Sequence, residues 1–175
     1  MTTDLQYPVG KFQPENQLTD MSRQAFIRQI AEVPAKLREA VNGLTQEQLD
    51  APYRPGGWTV RQVVHHLPDS HMNAYIRTKL CVTEHEPTIK PYEEQLWAEL
   101  VDAKSAPIDS SLALLDALHL RWVTFLRSLG TADFEKKLHH PVSGFMTLDR
   151  VLQLYAWHGR HHVAHIEALR QRMNW

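Results

Sequence analysis

The chain has 175 residues, with 19 basic and 20 acidic side chains and a net charge of −1 when the histidines are neutral. This length is typical of a single domain with a substantial core, and we expect one domain over residues 1–175. A charge this close to zero argues against binding to nucleic acid or to an anionic membrane. No apolar run is long enough to span a membrane, and the start Met1–Leu5 lacks the pattern of a secretion signal, so we expect a cytoplasmic protein.

Apolar residues at spacings of three and four, together with capping signals, predict four long helices. The first contains Pro34, where a kink is expected. The second follows a Thr-x-x-Gln capping box at Thr59. The third takes Asp109 as N-cap and ends at Gly130, and the fourth takes Thr147 as N-cap. The predicted ranges are about 21–42, 60–83, 109–130 and 148–175.

The connections predict little further structure. Residues 1–20 should be irregular, because two prolines and a glycine interrupt any periodicity. A capping box predicts a short helix after Thr45, and residues 92–101 are expected to form another. Residues 138–146 carry turn residues between apolar ones. The predicted fold class is therefore all-α: a four-helix bundle with short extra helices and a small hairpin or loop before the last helix.

The single cysteine, Cys81, excludes an internal disulfide and cannot build a thiolate metal site alone. Its apolar sequence neighbours, Leu80 and Val82, indicate a small packing residue. A nucleophilic cysteine needs an adjacent base or a helix N-terminus, whereas Cys81 lies late in a predicted helix. We therefore interpret it as structural.

Four histidines lie within eight positions of the fourth helix. With Leu148 at zero and about 100° per residue, His158 falls at about 280° and His162 at about 320°, inside the apolar stripe. His161, at about 220°, falls outside the stripe, and His165, at about 260°, falls on its edge. The periodicity therefore predicts that His158 and His162 point inward together.

Two imidazoles four residues apart on a helix stand one above the other, and imidazole is the commonest protein ligand for metals. The alternative is a pair of neutral buried rings that bond to backbone carbonyls or hydroxyls. Burying two rings one turn apart removes four nitrogens from water, and a metal offers one strong partner to both rings. The pair His158 and His162 therefore favours a metal site.

Four further histidines lie on the second and third helices. Counted from Val60, His65 falls at about 140° on the solvent side, His66 at about 240° on a flank, and His71 at about 20°, well inside. The periodicity thus rejects His65 and leaves His66 and His71 as alternatives for a third ligand. His119 lies on the apolar stripe of the third helix, where it could bond to backbone or act behind a ligand or against a substrate.

The run Tyr53–Leu67, followed by Ser70–Asn73, resembles the DinB/YfiT-like superfamily of metal-binding four-helix proteins. The resemblance covers nearly the whole chain, through Leu112–Trp122 and His140–Pro141 to Tyr155–Ile166. It is closest to the YfiT branch, whose members are described as metal-dependent hydrolases and bacillithiol transferases. The resemblance implies a four-helix fold, a homodimer and one divalent metal ion per chain.

In that family, one metal-binding histidine precedes a leucine on the second helix and two lie four apart on the last. The matching positions are His66, His158 and His162. Two departures from the wider pattern stand out. Many members of the superfamily have Gly-Gln after the last metal-binding histidine. This chain has Val163-Ala164-His165 there instead, and the YfiT branch has the same segment. Pro68, two residues from His66, should bend the second helix and could re-aim that ring.

Three neutral nitrogen ligands leave at least one coordination position open, as in catalytic zinc sites. We expect zinc, with nickel as the alternative, because both accept imidazole. Such a site activates either a water for hydrolysis or a thiol for S-transfer. The resemblance favours a thiol-dependent S-transferase, similar to bacillithiol transferases, that acts on a small-molecule substrate with a low-molecular-weight thiol as co-substrate.

Hydrolysis is the alternative reaction, and it usually needs a carboxylate beside the water. Asp69 and Glu167 face away from the proposed ligands by helical phase, although Glu93, Glu94 or Asp102 of the connection could reach the site.

Four side chains are candidates for orienting the ligands or contacting the substrate: Ser70, Asn73, His119 and His165. A non-enzymatic alternative also exists, in which the bundle is a partner-binding module and the histidines only pack. Trp157, expected to be exposed at about 180° on the last helix, would then mark an interface.

Overall fold

Four long helices form a bundle in the computed structural model, which describes residues 4–175. Helices α1 and α3 each pack against both α6 and α8. None of the helices in this described part is both long and apolar enough to cross a membrane. The elements in chain order are α1 (Asp20–Val41), α2 (Gln46–Leu49), α3 (Val60–Thr83), α4 (Glu94–Trp97), α5 (Val101–Ser105), α6 (Ile108–Arg127), α7 (Thr131–Phe134), β1 (Lys137–His140), β2 (Gly144–Thr147) and α8 (Leu148–Met173).

The predicted all-α bundle with a hairpin before the last helix is confirmed. Helix α3 has the predicted bounds, and its capping box forms in both directions: Thr59 Oγ1 accepts from the Gln62 N–H at 3.1 Å, and the Thr59 N–H donates to Gln62 Oε1 at 2.9 Å. Thr147 caps α8 by accepting from the Arg150 N–H. Strands β1 and β2 pair in antiparallel register, with Leu138 opposite Met146.

The third long helix differs from its prediction at both ends. It begins after Pro107 without a side-chain cap, and Asp109 lies inside its first turn rather than at the N-cap. Proline fits the start of a helix because it has no N–H to leave unpaired and its φ is already helical. At the other end α6 stops at Arg127. The Gly130 N–H donates to Asp133 at the start of α7, a short helix that was not predicted from the sequence.

The predicted helix over residues 92–101 is two short helices, α4 and α5. The break between them contains Ala98, whose carbonyl accepts from Gln62 Nε2 at 2.7 Å. Because this carbonyl bonds to the side chain of another helix, the connection is tied to the start of α3 rather than continued as one helix.

The N-terminal segment is irregular as predicted, except that the first three residues lie outside the described range. It packs along α8, where the Trp157 indole donates to the Gly10 carbonyl at 3.0 Å and its ring contacts Phe12. The expectation that Trp157 is exposed was therefore wrong, because the helical phase could not include this covering segment. Cys81 is fully buried in the core, in agreement with a packing role.

A layer of histidines separates the apolar core into two parts. One part is centred on Ile27, Trp122 and Leu152, and the other on Leu37, Val63 and Ile166. In sequence, the histidines occupy the stretches where the long helices pass from one part to the other: His71 between Leu67 and Ala74, His119 between Leu115 and Trp122, and His158 and His162 between Ala156 and Val163.

Helices α1 and α8 approach closely at Gly159, the residue after His158. A Cβ placed on Gly159 would lie 2.4 Å from Val33 Cγ2, which is too close for any real contact. Val33 is buried and has little room to move. Glycine is therefore required here by packing.

We expect Gly159→Ala to destabilise the protein by about 1–2 kcal/mol. Alanine alone would favour the helix by about 1 kcal/mol, so a net loss reports the overpacking against Val33. Urea unfolding followed by circular dichroism measures the change. The same substitution in a Val33→Ala background should cost much less, because the contacting methyl groups are gone. Equal losses in both backgrounds would contradict the packing explanation.

Candidate metal centre

Three histidines from two helices converge in the middle of the bundle. Helix α3 contributes His66, and α8 contributes His158 and His162. One ring nitrogen from each of the three lies within 4.8 Å of the other two. His66 Nε2 and His158 Nε2 are 3.2 Å apart. We refer to these three residues as the histidine cluster.

The histidine cluster fits a divalent metal ion by its donor chemistry. Two nitrogens bound at about 2.0–2.1 Å to a tetrahedral ion lie roughly 3.3 Å apart, close to the separation between His66 and His158. His162 Nδ1 is buried and has no hydrogen-bond partner among residues 4–175. Imidazole nitrogens suit zinc and nickel. The three residues could therefore hold such an ion.

The rings of the cluster are held in their neutral form. Burial lowers the pKa of His66 to about 4. Burial, together with the neighbouring rings, holds the pKa of His158 and of His162 well below 6.5. Neutral imidazole has a free lone pair, which is the form that binds a metal.

The cluster opens onto a pocket of about 290 Å³. Trp58 forms one wall: its ring centroid lies 4.7 Å from that of His66, and its indole donates to Gln95 Oε1 at 3.1 Å. Arg54 and Glu94 bring opposite charges to the lining. Arg54 and Trp58 were not predicted as site residues, although both lie in the run Tyr53–Leu67 that resembles the family. A substrate would thus meet an aromatic wall and two charged groups beside the histidines.

His66, and not His71, lies with His158 and His162 in the structure. His71 is fully buried, as its phase predicted, but its Nε2 lies 3.1 Å from His158 Nδ1, on the side of that ring away from the cluster. Helix α3 continues through Pro68 without interruption. His66 therefore contributes the third nitrogen of the cluster, and His71 lies behind it.

His65 was predicted on the solvent side, and that prediction was wrong. It is buried, with Nδ1 2.7 Å from Ser111 Oγ and Nε2 3.1 Å from the Ala106 carbonyl. The end of the connection after α5 and the start of α6 cover this face of α3. Helical phase counted from the apolar stripe could not show that covering.

His161 and His165 are also buried, although the periodicity placed them at or beyond the edge of the stripe. Their Nε2 atoms lie 3.0 Å apart. Tyr7 packs against His161 and Tyr53 against His165, so the N-terminal segment and the loop before α3 supply the cover. His161 lines the pocket, whereas His165 lies behind it.

Two further candidates for orienting the ligands, Ser70 and Asn73, make their contacts away from the cluster. The Ser70 hydroxyl lies beside Tyr92 and Tyr155, and the Asn73 side chain donates to the Asp69 carbonyl of its own helix. Neither contact reaches His66.

The carboxylates that were considered as a general base differ in whether they line the pocket. Burial, and to a lesser extent Asp102, raises the pKa of Asp69 to about 6, but Asp69 does not line the pocket. Of the three connection carboxylates considered for hydrolysis, Glu94 lines the pocket, and Glu93 and Asp102 do not.

A four-helix bundle with three clustered histidines beside an open pocket is typical of metal-binding helical proteins. Comparison with known proteins places the chain in the same class. Residues 29–166 match the family model described as the DinB superfamily, so the chain belongs to the DinB superfamily. The resemblance seen in the sequence is thereby confirmed.

Close relatives extend over nearly the full length of the chain. Proteins from Bacillus mycoides and Bacillus cereus are 56% and 55% identical over 172 residues, which is 98% of this chain and 99% of theirs. Both are named "Putative metal-dependent hydrolase". The structure of YfiT from Bacillus subtilis matches with a TM-score of 0.96 and 50% identity over 98% of each chain. It is described as "a probable metal-dependent hydrolase with an unusual four-helix bundle topology".

Metal-free protein should lose stability as the pH falls from about 7 to about 4. Burial lowers the folded-state pKa of His66, His119 and His161 to about 4, below the value of 6.5 expected in the unfolded chain. The unfolded state therefore binds protons first, so stability is complete above pH 6.5 and is lost towards pH 4, by roughly 1.4 kcal/mol per pH unit for each ring.

Urea midpoints measured between pH 4 and 7 test this expectation. Replacing the exposed His85 by asparagine should leave the pH profile unchanged, whereas His119→Phe should make it shallower. A flat wild-type profile would show that these rings are not held neutral by burial.

Proposed function

We propose that the chain is a metal-dependent enzyme in which His66, His158 and His162 hold one divalent ion. The observation that carries this proposal is the convergence of three ring nitrogens within 4.8 Å beside an open pocket. The names of the relatives support the same general activity. Three protein ligands leave at least one coordination position for a substrate. Zinc is the expected ion and nickel the alternative.

A divalent ion bound there supplies Lewis acidity, which lowers the pKa of a water or a thiol. The protein contributes the surroundings. Burial keeps the three imidazoles neutral, the Trp58 ring limits the access of water to His66, and the pocket holds a small molecule next to the cluster.

Thiol S-transfer is the reaction that we propose for this site. A thiol loses its proton to solvent, its sulfur forms a bond to a carbon of the electrophile, and the leaving group departs with the electron pair of the broken bond. The Arg54 guanidinium on the pocket lining favours an anionic sulfur nearby. Sulfur attack needs no side chain to orient a water, and the pocket has room for a small molecule beside the cluster.

Hydrolysis is the second candidate, and one observation favours it. The Glu94 carboxylate lines the pocket, where it could take a proton from an attacking water. The same carboxylate has no necessary role in S-transfer. Glu94 therefore separates the two reactions.

We expect about one zinc or nickel ion per chain in protein purified without an affinity tag. His162→Ala should reduce the bound metal to a small fraction and remove the thermal stabilisation on adding zinc, because two ligands bind far more weakly than three. Elemental analysis and thermal melting measure both effects, and His85→Ala is the matched control on an exposed histidine. Wild-type protein with less than about half an equivalent and no thermal shift would favour a non-enzymatic binding module.

The two reactions can be separated with metal-loaded protein. We expect conjugation of a low-molecular-weight thiol to a generic electrophile, monitored by absorbance, to fall at least about 100-fold in His162→Ala and to stay within about threefold in Glu94→Gln. If hydrolysis is the reaction, Glu94→Gln should instead lose about 100-fold or more on an activated ester, with no thiol required. Equal thiol conjugation by wild type and His162→Ala would remove the transferase proposal.

A further inference from the structure

Two buried histidines, His71 and His119, connect the cluster to a backbone carbonyl on the opposite helix. His119 Nδ1 lies 2.8 Å from the Ile30 carbonyl of α1, and His119 Nε2 lies 2.8 Å from His71 Nδ1. His71 Nε2 in turn lies 3.1 Å from His158 Nδ1. His71 is fully buried and His119 is 2% exposed, so water has little access to these bonds. The chain of hydrogen bonds therefore crosses the bundle from α1 through α6 and α3 to α8.

A proline explains why the Ile30 carbonyl is available. In an α-helix, the carbonyl of residue 30 would accept from the N–H of residue 34, but Pro34 has no N–H. Pro34 lies inside α1, so the carbonyl four residues before it is left without its helical partner. The His119 N–H fills that place.

The Ile30 carbonyl determines which nitrogen donates in each of these hydrogen bonds. A carbonyl can only accept, so the hydrogen of neutral His119 is on Nδ1 and its Nε2 has a lone pair. His71 must then donate from Nδ1 and accept at Nε2, and His158 must donate from Nδ1. Burial favours neutral rings throughout, since it lowers the pKa of His119 to about 4 and that of His71 well below 6.5.

The last ring of the chain presents its lone pair to the cluster. With its hydrogen on Nδ1, His158 has an unprotonated Nε2, and that atom is the one 3.2 Å from His66 Nε2. A metal ligand must offer a lone pair, and its other nitrogen, which carries the hydrogen, must donate to an acceptor that fixes the ring. In the metal-free protein, these hydrogen bonds already give His158 a lone pair on Nε2 and an acceptor for its Nδ1 hydrogen.

We propose that His71 and His119 are positioning residues that fix the tautomer and orientation of His158, with the Ile30 carbonyl as their anchor. The consequence for metal binding rests on the proposed function, whereas the tautomer order is a property of the metal-free protein. Loss of His119 would leave His71 free to place its hydrogen on either nitrogen. His158 would then lose its fixed acceptor, and part of the population would carry the hydrogen on the nitrogen that faces the cluster.

The direct test is the nitrogen-15 NMR spectrum of the histidine rings in metal-free protein at pH 7, assigned with single-histidine variants. We expect His158, His71 and His119 all to carry the hydrogen on Nδ1. In His119→Phe, which fills the space but cannot hydrogen-bond, His158 should become a mixture of tautomers. A wild-type His158 protonated mainly on Nε2, or an unchanged His158 tautomer in His119→Phe, would overturn the proposal.

Metal affinity provides the second readout. We expect His119→Phe to weaken zinc binding about 10- to 100-fold in a chelator competition, as is typical when a residue behind a ligand is lost. His119→Gln should recover most of the affinity, because an amide can donate to Ile30 and accept from His71. His65→Phe is the matched control, since it removes a buried histidine whose bonds go to Ser111 and Ala106 instead.

Two results separate this inference from the proposed function. Equal zinc affinity in wild type, His119→Phe and His119→Gln would overturn the positioning role even if the enzyme is active. If His119→Phe does not fold, the wild-type tautomers still decide, because a His158 protonated mainly on Nε2 would overturn the proposal. Absence of zinc binding in wild type would remove the proposed function and with it the role in metal binding, while the tautomers of the metal-free protein would be judged on their own.

Discussion

Burying an imidazole removes two nitrogens from water, and each nitrogen then needs a partner inside the protein. The middle of this bundle contains several such rings between two apolar parts of the core. Their hydrogen-bond partners determine how the side chains in this region are arranged. His65 bonds to a hydroxyl and a carbonyl, and His71 bonds to two other rings. Within the described residues, two buried imidazole nitrogens have no partner, His161 Nδ1 and His162 Nδ1, and both rings line the pocket. Among the buried histidines, unmet hydrogen-bonding capacity is thus found where a ligand can arrive.

Helical phase predicted part of the site because α8 is long and amphipathic. Its apolar stripe placed His158 and His162 inward, and the structure brings them together. The third member could not be predicted in this way, since His66 lies on a flank of α3 and meets the others only when the helices pack. The resemblance to a family supplied His66, and the geometry agrees with it.

The wrong predictions of which side chains are exposed share one physical cause. His65, His161 and Trp157 were placed outside because each lies off the apolar stripe of its own helix. In the structure, the connection before α6 covers His65, and the N-terminal segment covers the other two. Irregular segments have no periodicity from which their position could be predicted. A helical wheel therefore cannot show which residues of a helix these segments cover. The four-helix fold was predictable from the sequence, whereas the closure of its polar faces was not.

The proline in α1 is more than an interruption of a helix. By withholding one N–H, Pro34 makes a single carbonyl of α1 available to a side chain that lies 89 positions away from Ile30 along the chain. A different residue at position 34 would bring its own N–H into competition with His119 for that carbonyl. The two positions are therefore coupled through a third, and they are expected to co-vary in evolution: a lineage that replaces the proline should have less reason to keep the histidine.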